Sequence, residues 1–251
     1  GFHQAPATLK MADLAYDEEC EVISKSDLTI VVSEVEVAEL ANEAPDAKVA
    51  VISNIHEVAR DRPAFDDRSG VMFVGGFQHP PNIDAVEYYA NEIWPLLTER
   101  CPDLETYIIG SRMPDRLKRL GESRGLKMLG FVEDLTPYYE SCALAIAPLR
   151  YGAGVKGKVN QALSFGLPVV GSPVAFEGMG LTHEREVMVA ETAEDFAESV
   201  AKVCADRALW LTLSERGGAS LAGRFTPEVA EAALRDVLAP WLDERDLKTV
   251  G

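Results

Sequence analysis

The stretch RYGAGVKGKVNQ, residues 150–161, combines glycines and basic side chains at a spacing that suits phosphate chemistry. From Gly152 it follows the pattern G-x-x-x-x-G-K and reaches Lys158, but Val159 stands where a P-loop has Ser or Thr. Glycines let backbone N–H groups approach an anion closely, and a helix N-terminus attracts the same charge. Three interpretations fit: an altered ATP-binding loop, a purely structural turn, and a loop for a different phosphate.

The charges around this loop favour an anion. No Asp or Glu occurs from Ser141 to Phe176, where the charged residues are Arg150, Lys156 and Lys158, although the formal net charge of the chain is −17. A cluster of cations inside an acidic chain predicts a local anion site. The alternative is that the three cations only aid solubility. The acidic remainder argues against nucleic acid and anionic membranes as partners.

Two nucleotide-binding alternatives lack residues that they need. Val159 cannot ligate Mg²⁺ as a P-loop Ser or Thr does, and the apolar run LPVVGS ends in Ser172 and not in an acidic metal ligand. A dehydrogenase would need G-x-G-x-x-G, but FVGGFQHPPN offers only Gly75–Gly76, which could also be a simple turn. The four Cys and four His residues are scattered without ligand spacing, so we expect no metal and no cofactor.

The elements that must hold these loops alternate between strand and helix patterns. A helical period runs through residues 82–100, and from Ala193 onward only helices are predicted, the last with Thr226 as N-cap. This alternation predicts an α/β fold, with a parallel sheet and helices on both faces. Ligands bind such sheets at the carboxyl ends of the strands, where both glycine-rich loops fall. The predicted strands are residues 28–33, 49–53, 71–75, 104–110, 126–130, 143–149, 167–172 and 186–190.

Bulk composition is that of a globular protein. Of the 251 residues, 47% are hydrophobic and 26% charged, and no apolar run approaches the roughly 20 residues of a membrane span. Scattered cysteines are typical of reduced thiols, so we expect a cytoplasmic location. The sequence does not start with Met, and we expect it to be a fragment of a longer protein.

Three segments, FVGGFQHPPNIDAV, LRYGAGVKGKVNQALSFGLPVV and VAFEGM, resemble in this order the donor-binding half of family 4 glycosyltransferases with the GT-B fold. The match runs from about Val71 to Phe225, and Asp27–Asn54 resembles the end of the acceptor-binding half. The resemblance implies a Rossmann-like parallel sheet plus a partial second Rossmann-like segment and C-terminal helices. The domains expected are an acceptor-side remnant at 1–58, a linker at 59–70, a nucleotide-sugar-binding domain at 71–225 and a helical segment at 226–251.

The resemblance also implies an activity. Members transfer a sugar, here expected to be a hexose, from a nucleotide-diphosphate sugar to an acceptor hydroxyl with retention, and we expect a role in glycan or polysaccharide biosynthesis. The implied partners are the sugar nucleotide, a glycan or lipid-linked acceptor, and a missing N-terminal domain of the same protein. Glu177 could face the donor or only cap a turn, and no catalytic residue is assigned. The donor-binding residues implied are Gly75, Gly76, Arg150, Gly152, Gly154, Val155, Lys156, Lys158, Gln161 and Glu177.

Three departures from the family pattern open a second hypothesis. Many members carry E-x7-E where this chain has Ala153 and Gln161, and no Arg or Lys follows the first glycine turn. About 55 residues precede the linker, whereas a whole domain usually has roughly 100 or more. The alternative to an active transferase is therefore a catalytically inert domain that binds sugar nucleotides or serves as a scaffold.

Overall fold

The computed structural model describes residues 16, 18–59, 64–152 and 154–241. The chain divides into a smaller unit, which consists of Gly1–Ser53 and Ala230–Gly251, and a larger unit, Asn54–Val229. Ala153, one of the two positions that depart from the E-x7-E pattern, lies outside the described residues.

The smaller unit contains a two-stranded parallel sheet. Strand β1 (Thr29–Val31) pairs with β2 (Val49–Val51), with Thr29 opposite Val49. Helix α1 covers residues 18–25, and α2 (Glu34–Glu43) connects the two strands. Ser33 caps α2 because its hydroxyl accepts a hydrogen bond from the backbone of Glu36. Both strands lie inside the ranges predicted from the sequence.

The larger unit is an α/β body in which strands and helices alternate, as predicted. Its strands are β3 (Val71–Val74), β4 (Thr106–Ile109), β5 (Lys127–Gly130), β6 (Leu144–Ala147), β7 (Val169–Gly171) and β8 (Met188–Val189). Its helices are α3 (Pro80–Tyr88), α4 (Trp94–Arg100), α5 (Asp115–Ser123), α6 (Thr136–Ser141), α7 (Gly157–Ser164), α8 (Ala193–Ala205) and α9 (Arg207–Ala222).

The six strands form one parallel sheet with the order β5-β4-β3-β6-β7-β8. Relative to their order in this unit the strands run 3-2-1-4-5-6, which is the Rossmann arrangement. The central strands β3 and β6 are apolar and, apart from the half-buried Val74, buried, as expected of parallel strands covered by helices on both faces. The predicted Rossmann-like α/β fold is confirmed.

One predicted helix is interrupted. The pattern over residues 82–100 predicts a continuous helix, but a π-helical turn, Tyr89–Ile93, separates α3 from α4. The cause lies in Pro95, which lacks an N–H and whose ring would clash with the carbonyl of Asn91 in a regular α-helix. The wider turn removes that clash.

The C-terminal helices begin at side-chain caps. Thr192 and Asp195 form a capping box at the start of α8. Helix α10 (Pro227–Leu238) starts with Pro227, and the Thr226 hydroxyl accepts a hydrogen bond from the Val229 N–H at 3.5 Å, as the sequence predicts. Among the described residues, no helix is long and apolar enough to cross a membrane.

The segment before the large sheet is bonded to its own unit. Residues 54–59 form neither helix nor strand, yet the His56 N–H donates to the carbonyl of Phe225 at 2.6 Å and the Ala59 N–H donates to that of Ser164 at 2.9 Å. A short 3₁₀ turn, Phe65–Asp67, follows. The domain boundaries given above, including the linker at 59–70, stay predictions.

Candidate functional site

The two glycine-rich loops meet where the sheet changes direction. Strands β3 and β6 are neighbours at the centre, and the chain leaves them toward opposite edges of the sheet. The carboxyl ends of such a pair bound the crevice in which doubly wound sheets hold ligands. The first glycine turn, Gly75–Gly76, follows β3, and the second glycine loop, residues 150–156, follows β6. The topology therefore brings together the two motifs singled out in the sequence.

The first glycine turn is packed tightly against the end of β4. The Gly75 N–H donates to the carbonyl of Ile109 at 3.0 Å. A Cβ on Gly110 would lie 1.8 Å from the carbonyl oxygen of Gly75, so the two backbones leave no room for a side chain. At Gly76, an added Cβ would lie 2.7 Å from the amide of Gln78. The backbone contact explains why position 110 must be glycine, whereas the amide end of Gln78 could move aside.

Asn82, which the sequence did not single out, connects the first glycine turn with the helix that follows the second glycine loop. It lies in the first turns of α3 and is 9% exposed. Its Nδ2 donates to the Gly76 carbonyl at 2.8 Å, and its Oδ1 accepts from Nζ of Lys158 at 2.5 Å. The one sequence signal for Asn82 is its place directly after the Pro pair that starts the helix.

The second glycine loop is shaped by backbone conformation. Gly152 has a φ of +134° and Gly154 a φ of +73°, values that residues with a side chain rarely adopt. Lys156 is buried, and its ammonium donates to the carbonyls of Gly152 at 3.0 Å and Gly154 at 2.5 Å. Val155 between them is half-buried. The charge of Lys156 thus holds its own loop in place.

Lys158 lies in the first turn of α7 and packs against the central strand β3. Its Nζ lies 4.3 Å from the centroid of the Phe73 ring. Burial in the first place, and the charge of Lys156 in the second, lower the pKa of Lys158 to about 7. Burial also lowers the pKa of Lys156. Lys156 is the N-cap residue of α7, and no side chain caps the N-terminus of that helix. An anion here would meet first-turn N–H groups and would restore the full charge of Lys158.

Arg150 differs from the two lysines because a carboxylate engages it. Its guanidinium makes a two-pronged ion pair with Asp84 of α3 at 2.9 and 2.5 Å and lies over the Tyr88 ring at 5.0 Å. This bond to Asp84 raises the pKa of Arg150. Although no acidic residue is close to Arg150 in sequence, the fold brings Asp84 against it. A donor-binding role for Arg150 stays a prediction.

Gln161 and Glu177 have different surroundings. The Oε1 of Gln161 is 3.3 Å from Nδ1 of His56, and its Nε2 donates to the Ser164 hydroxyl at 3.4 Å. Burial lowers the pKa of His56, against the smaller opposing effect of its hydrogen bond to Gln161. Glu177 is exposed, and its negative charge acts on Lys156 by raising that pKa against the larger effect of burial. Their proposed donor contacts stay predictions.

In the described part of the chain, no group of three or more His, Cys, Asp or Glu side chains is placed to hold a metal ion. The expectation that donor binding needs neither a metal nor a cofactor stays a prediction.

Comparison with known proteins supports the reading of the fold. An uncharacterized 44.6 kDa protein in the cps region of Klebsiella pneumoniae is 28% identical over 138 residues, which are 52% of this chain and 36% of that protein. The solved structure of a point mutant of S. aureus TarM, in complex with fondaparinux, alpha-GlcNAc-glycerol and UDP, has a TM-score of 0.72 at 15% identity. It covers 88% of this chain and 45% of TarM.

Sucrose-phosphate synthase from Thermosynechococcus elongatus also has a TM-score of 0.72, at 19% identity, and covers 93% of this chain and 61% of the synthase. At these identities the likeness shows the GT-B type of fold. The chain spans about a third to three fifths of the length of these relatives.

A sequence model of the family described as "Glycosyl transferases group 1" matches residues 68–206, from just before β3 to the end of α8. That match covers more than half of the chain and includes both glycine loops, Asn82, Lys158 and Glu177. The chain belongs to the group 1 glycosyl transferases.

Proposed function

We propose that this chain carries the donor site of an enzyme that moves a sugar, a hexose by resemblance, from a nucleotide-diphosphate sugar to an acceptor hydroxyl with retention. The observation that carries the proposal is the position of Lys158, whose ammonium donates to Asn82, the residue that also bonds the first glycine turn at the switch point of the sheet. The UDP in the TarM structure and the cps-region relative support a role in glycan or polysaccharide biosynthesis.

The proposed chemistry is electrostatic stabilisation of the leaving group. When the bond between the anomeric carbon and the diphosphate oxygen breaks, negative charge builds up on the departing diphosphate. The Lys158 ammonium and the uncapped first turn of α7 would meet that charge as it develops. Since both are in place before the ligand binds, they need no reorganisation during the reaction.

Gln161 retains capacity for ribose hydroxyls. A glutamine amide has two N–H donors and an oxygen with two lone pairs, of which His56 and Ser164 use one each. One donor and one lone pair remain, which suits a hydroxyl pair. The amide cannot act as a carboxylate, however, and this favours the second candidate function: an inert sugar-nucleotide-binding or scaffolding domain.

The two candidates differ in one measurable respect. Transfer, or donor hydrolysis, by the intact natural protein that is abolished by Gln161→Ala would reject the inert domain. Donor binding by the intact protein without turnover of any donor–acceptor pair would reject the enzyme. We further propose that transfer takes place in the cytoplasm and that residues outside 71–225 bind the acceptor.

The nucleotide is identified by a thermal-shift screen with UDP, GDP, ADP and dTDP. A ligand at 100 times its dissociation constant stabilises the protein by about 2.7 kcal/mol, which gives a shift of several degrees. We expect one base to stand out, and no shift with any of the four would contradict the proposed function.

Lys158→Ala tests the residue on which the proposal depends. We expect the affinity for the matching nucleoside diphosphate to fall at least tenfold, about 1.4 kcal/mol, in calorimetry. Lys127→Ala is the matched control, because it also removes one ammonium. Lys127 lies at the amino end of the edge strand β5, whereas both glycine loops follow the carboxyl ends of central strands. Equal affinity of the two variants would remove Lys158 from the site.

A further inference from the structure

The side chain of Asn82 is bonded at both ends of its amide. Nδ2 donates to the carbonyl of Gly76, 2.8 Å away, and Oδ1 accepts from the ammonium of Lys158, 2.5 Å away. One partner belongs to the first glycine turn and the other to the helix after the second glycine loop. The amide of Asn82 is thus bonded to a side chain that lies 76 positions further along the sequence.

The packing around Asn82 fixes the plane of its amide. A Cβ on Gly75 would lie 2.8 Å from Cγ of Asn82, so the amide group lies directly against the backbone of the turn. Its N–H group must face the Gly76 carbonyl, and its oxygen then faces Lys158. Of the side chains of this size, an aspartate would lose the donor and a leucine would lose both functions.

Lys158 has little else to hold its ammonium. Its Nζ lies over the Phe73 ring. The charged group that acts on it is Lys156, which repels it, while Glu177 acts on Lys156. Among the described residues, Oδ1 of Asn82 is the hydrogen-bond acceptor of Nζ. An ammonium has three N–H donors, so two remain for a ligand.

We propose that Asn82 is a positioning residue, which holds the ammonium of Lys158 beside the first glycine turn so that both loops contact one diphosphate. This inference rests on the proposed function, because it assigns Asn82 a task in the same donor site. Asn82 itself need not touch the ligand.

The test compares Asn82→Leu and Asn82→Asp with the wild type by two measurements. The first is the titration of the Lys158 ammonium, followed by NMR of labelled lysine side chains and identified by its loss in Lys158→Ala. Without its acceptor, the Lys158 pKa should fall below the wild-type value of about 7 in Asn82→Leu. A carboxylate in Asn82→Asp should raise it.

The second measurement is calorimetric binding of UDP-glucose at pH 7, or of the matching sugar nucleotide from the screen. We expect both variants to lose at least tenfold in affinity. In Asn82→Leu the Lys158 ammonium is too seldom charged, and in Asn82→Asp the new carboxylate neutralises that charge. Asn91→Leu is the control: Asn91 is an exposed residue of the π-helical turn, and its substitution should leave both measurements unchanged.

The outcomes separate the inference from the proposed function. Opposite shifts of the Lys158 titration with weaker binding support the positioning role, which a purely structural residue would not produce. An unmoved titration in both folded variants, or wild-type affinity in Asn82→Leu, would overturn it. If the wild type binds no sugar nucleotide, the proposed function fails, while the titration still decides whether Asn82 holds the ammonium.

Discussion

The two glycine loops at the switch point use glycine for different reasons. In the first turn the limit is space, since a Cβ on Gly75 would meet Asn82 at 2.8 Å and one on the neighbouring Gly110 would meet the Gly75 backbone at 1.8 Å. In the second loop the limit is the backbone itself. A Cβ on Gly152 would meet Pro81 at an ordinary 3.6 Å, but the φ of +134° is one that only glycine adopts readily.

The first glycine turn owes its shape to packing against its neighbours, and the second glycine loop owes its shape to its own backbone torsions. The first turn depends on β4 and α3, which press against it, and it should respond to changes in those elements. The second loop depends on its own torsions and on Lys156, which binds its carbonyls. A motif rich in glycine can therefore be rigid in two ways, and substitutions can distinguish them.

The largest effect is expected for the packed turn. Gly110→Ala places a methyl group 1.8 Å from the Gly75 carbonyl oxygen, which forces backbone movement and should lower the free energy of unfolding by about 3 kcal/mol. Urea denaturation measures this loss. Gly223→Ala, whose methyl group would find no atom closer than 3.8 Å, should change stability by less than about 0.5 kcal/mol. Similar losses in both variants would show that space is not the limit.

A smaller effect is expected where torsion is the limit. Gly152→Ala should cost about 2 kcal/mol of backbone strain and should also weaken sugar-nucleotide binding, because the loop would lose its shape. Gly125→Ala is the control, since Gly125 has a φ of +81° with no atom within 4 Å of an added Cβ. We expect it to lose stability but to keep wild-type affinity in calorimetry. If Gly152→Ala also kept that affinity, the second loop would not shape the site.

The smallest effect is expected for the pH dependence of sugar-nucleotide affinity, which depends on the charge of Lys158. Since the pKa of Lys158 is lowered to about 7, its charge is present below that pH and is lost above it. The affinity for UDP-glucose, whose diphosphate does not titrate in this range, should fall by roughly tenfold between about pH 6.5 and 8.5.

Lys158→Arg gives the comparison for this pH profile, because arginine stays charged throughout the range. Its affinity should be nearly constant with pH, whatever its absolute value. A flat profile in the wild type as well would mean that the Lys158 charge does not control binding.

The sequence was sufficient for the sheet because the strands are encoded locally. Apolar runs such as Val71–Val74 and Leu144–Ala147 can be recognised without their neighbours, and the alternation with helices then leads to a parallel sheet. The same alternation places both glycine loops at the carboxyl ends. By contrast, the pattern of apolar residues does not show the π-helical turn before Pro95, although the proline itself signals that a regular helix cannot continue unchanged there.

The site was harder to predict because its contacts join distant residues. Arg150 lies in a stretch without acidic residues, but its partner Asp84 is 66 positions away. Asn82 carries no charge and belongs to no phosphate motif, although it bonds both the first glycine turn and Lys158. Local sequence thus identified which loops meet, whereas the partners of each side chain depended on the topology.

The ammonium of Lys156, tied to the oxygens of its own loop, has a consequence for how a ligand would enter. These hydrogen bonds order the second glycine loop when the protein folds. The conformational entropy of the loop is therefore lost before a donor binds, and binding does not have to offset it. The loop should then have the same conformation with and without a ligand. Differences in affinity between donors should appear mainly in their dissociation rates.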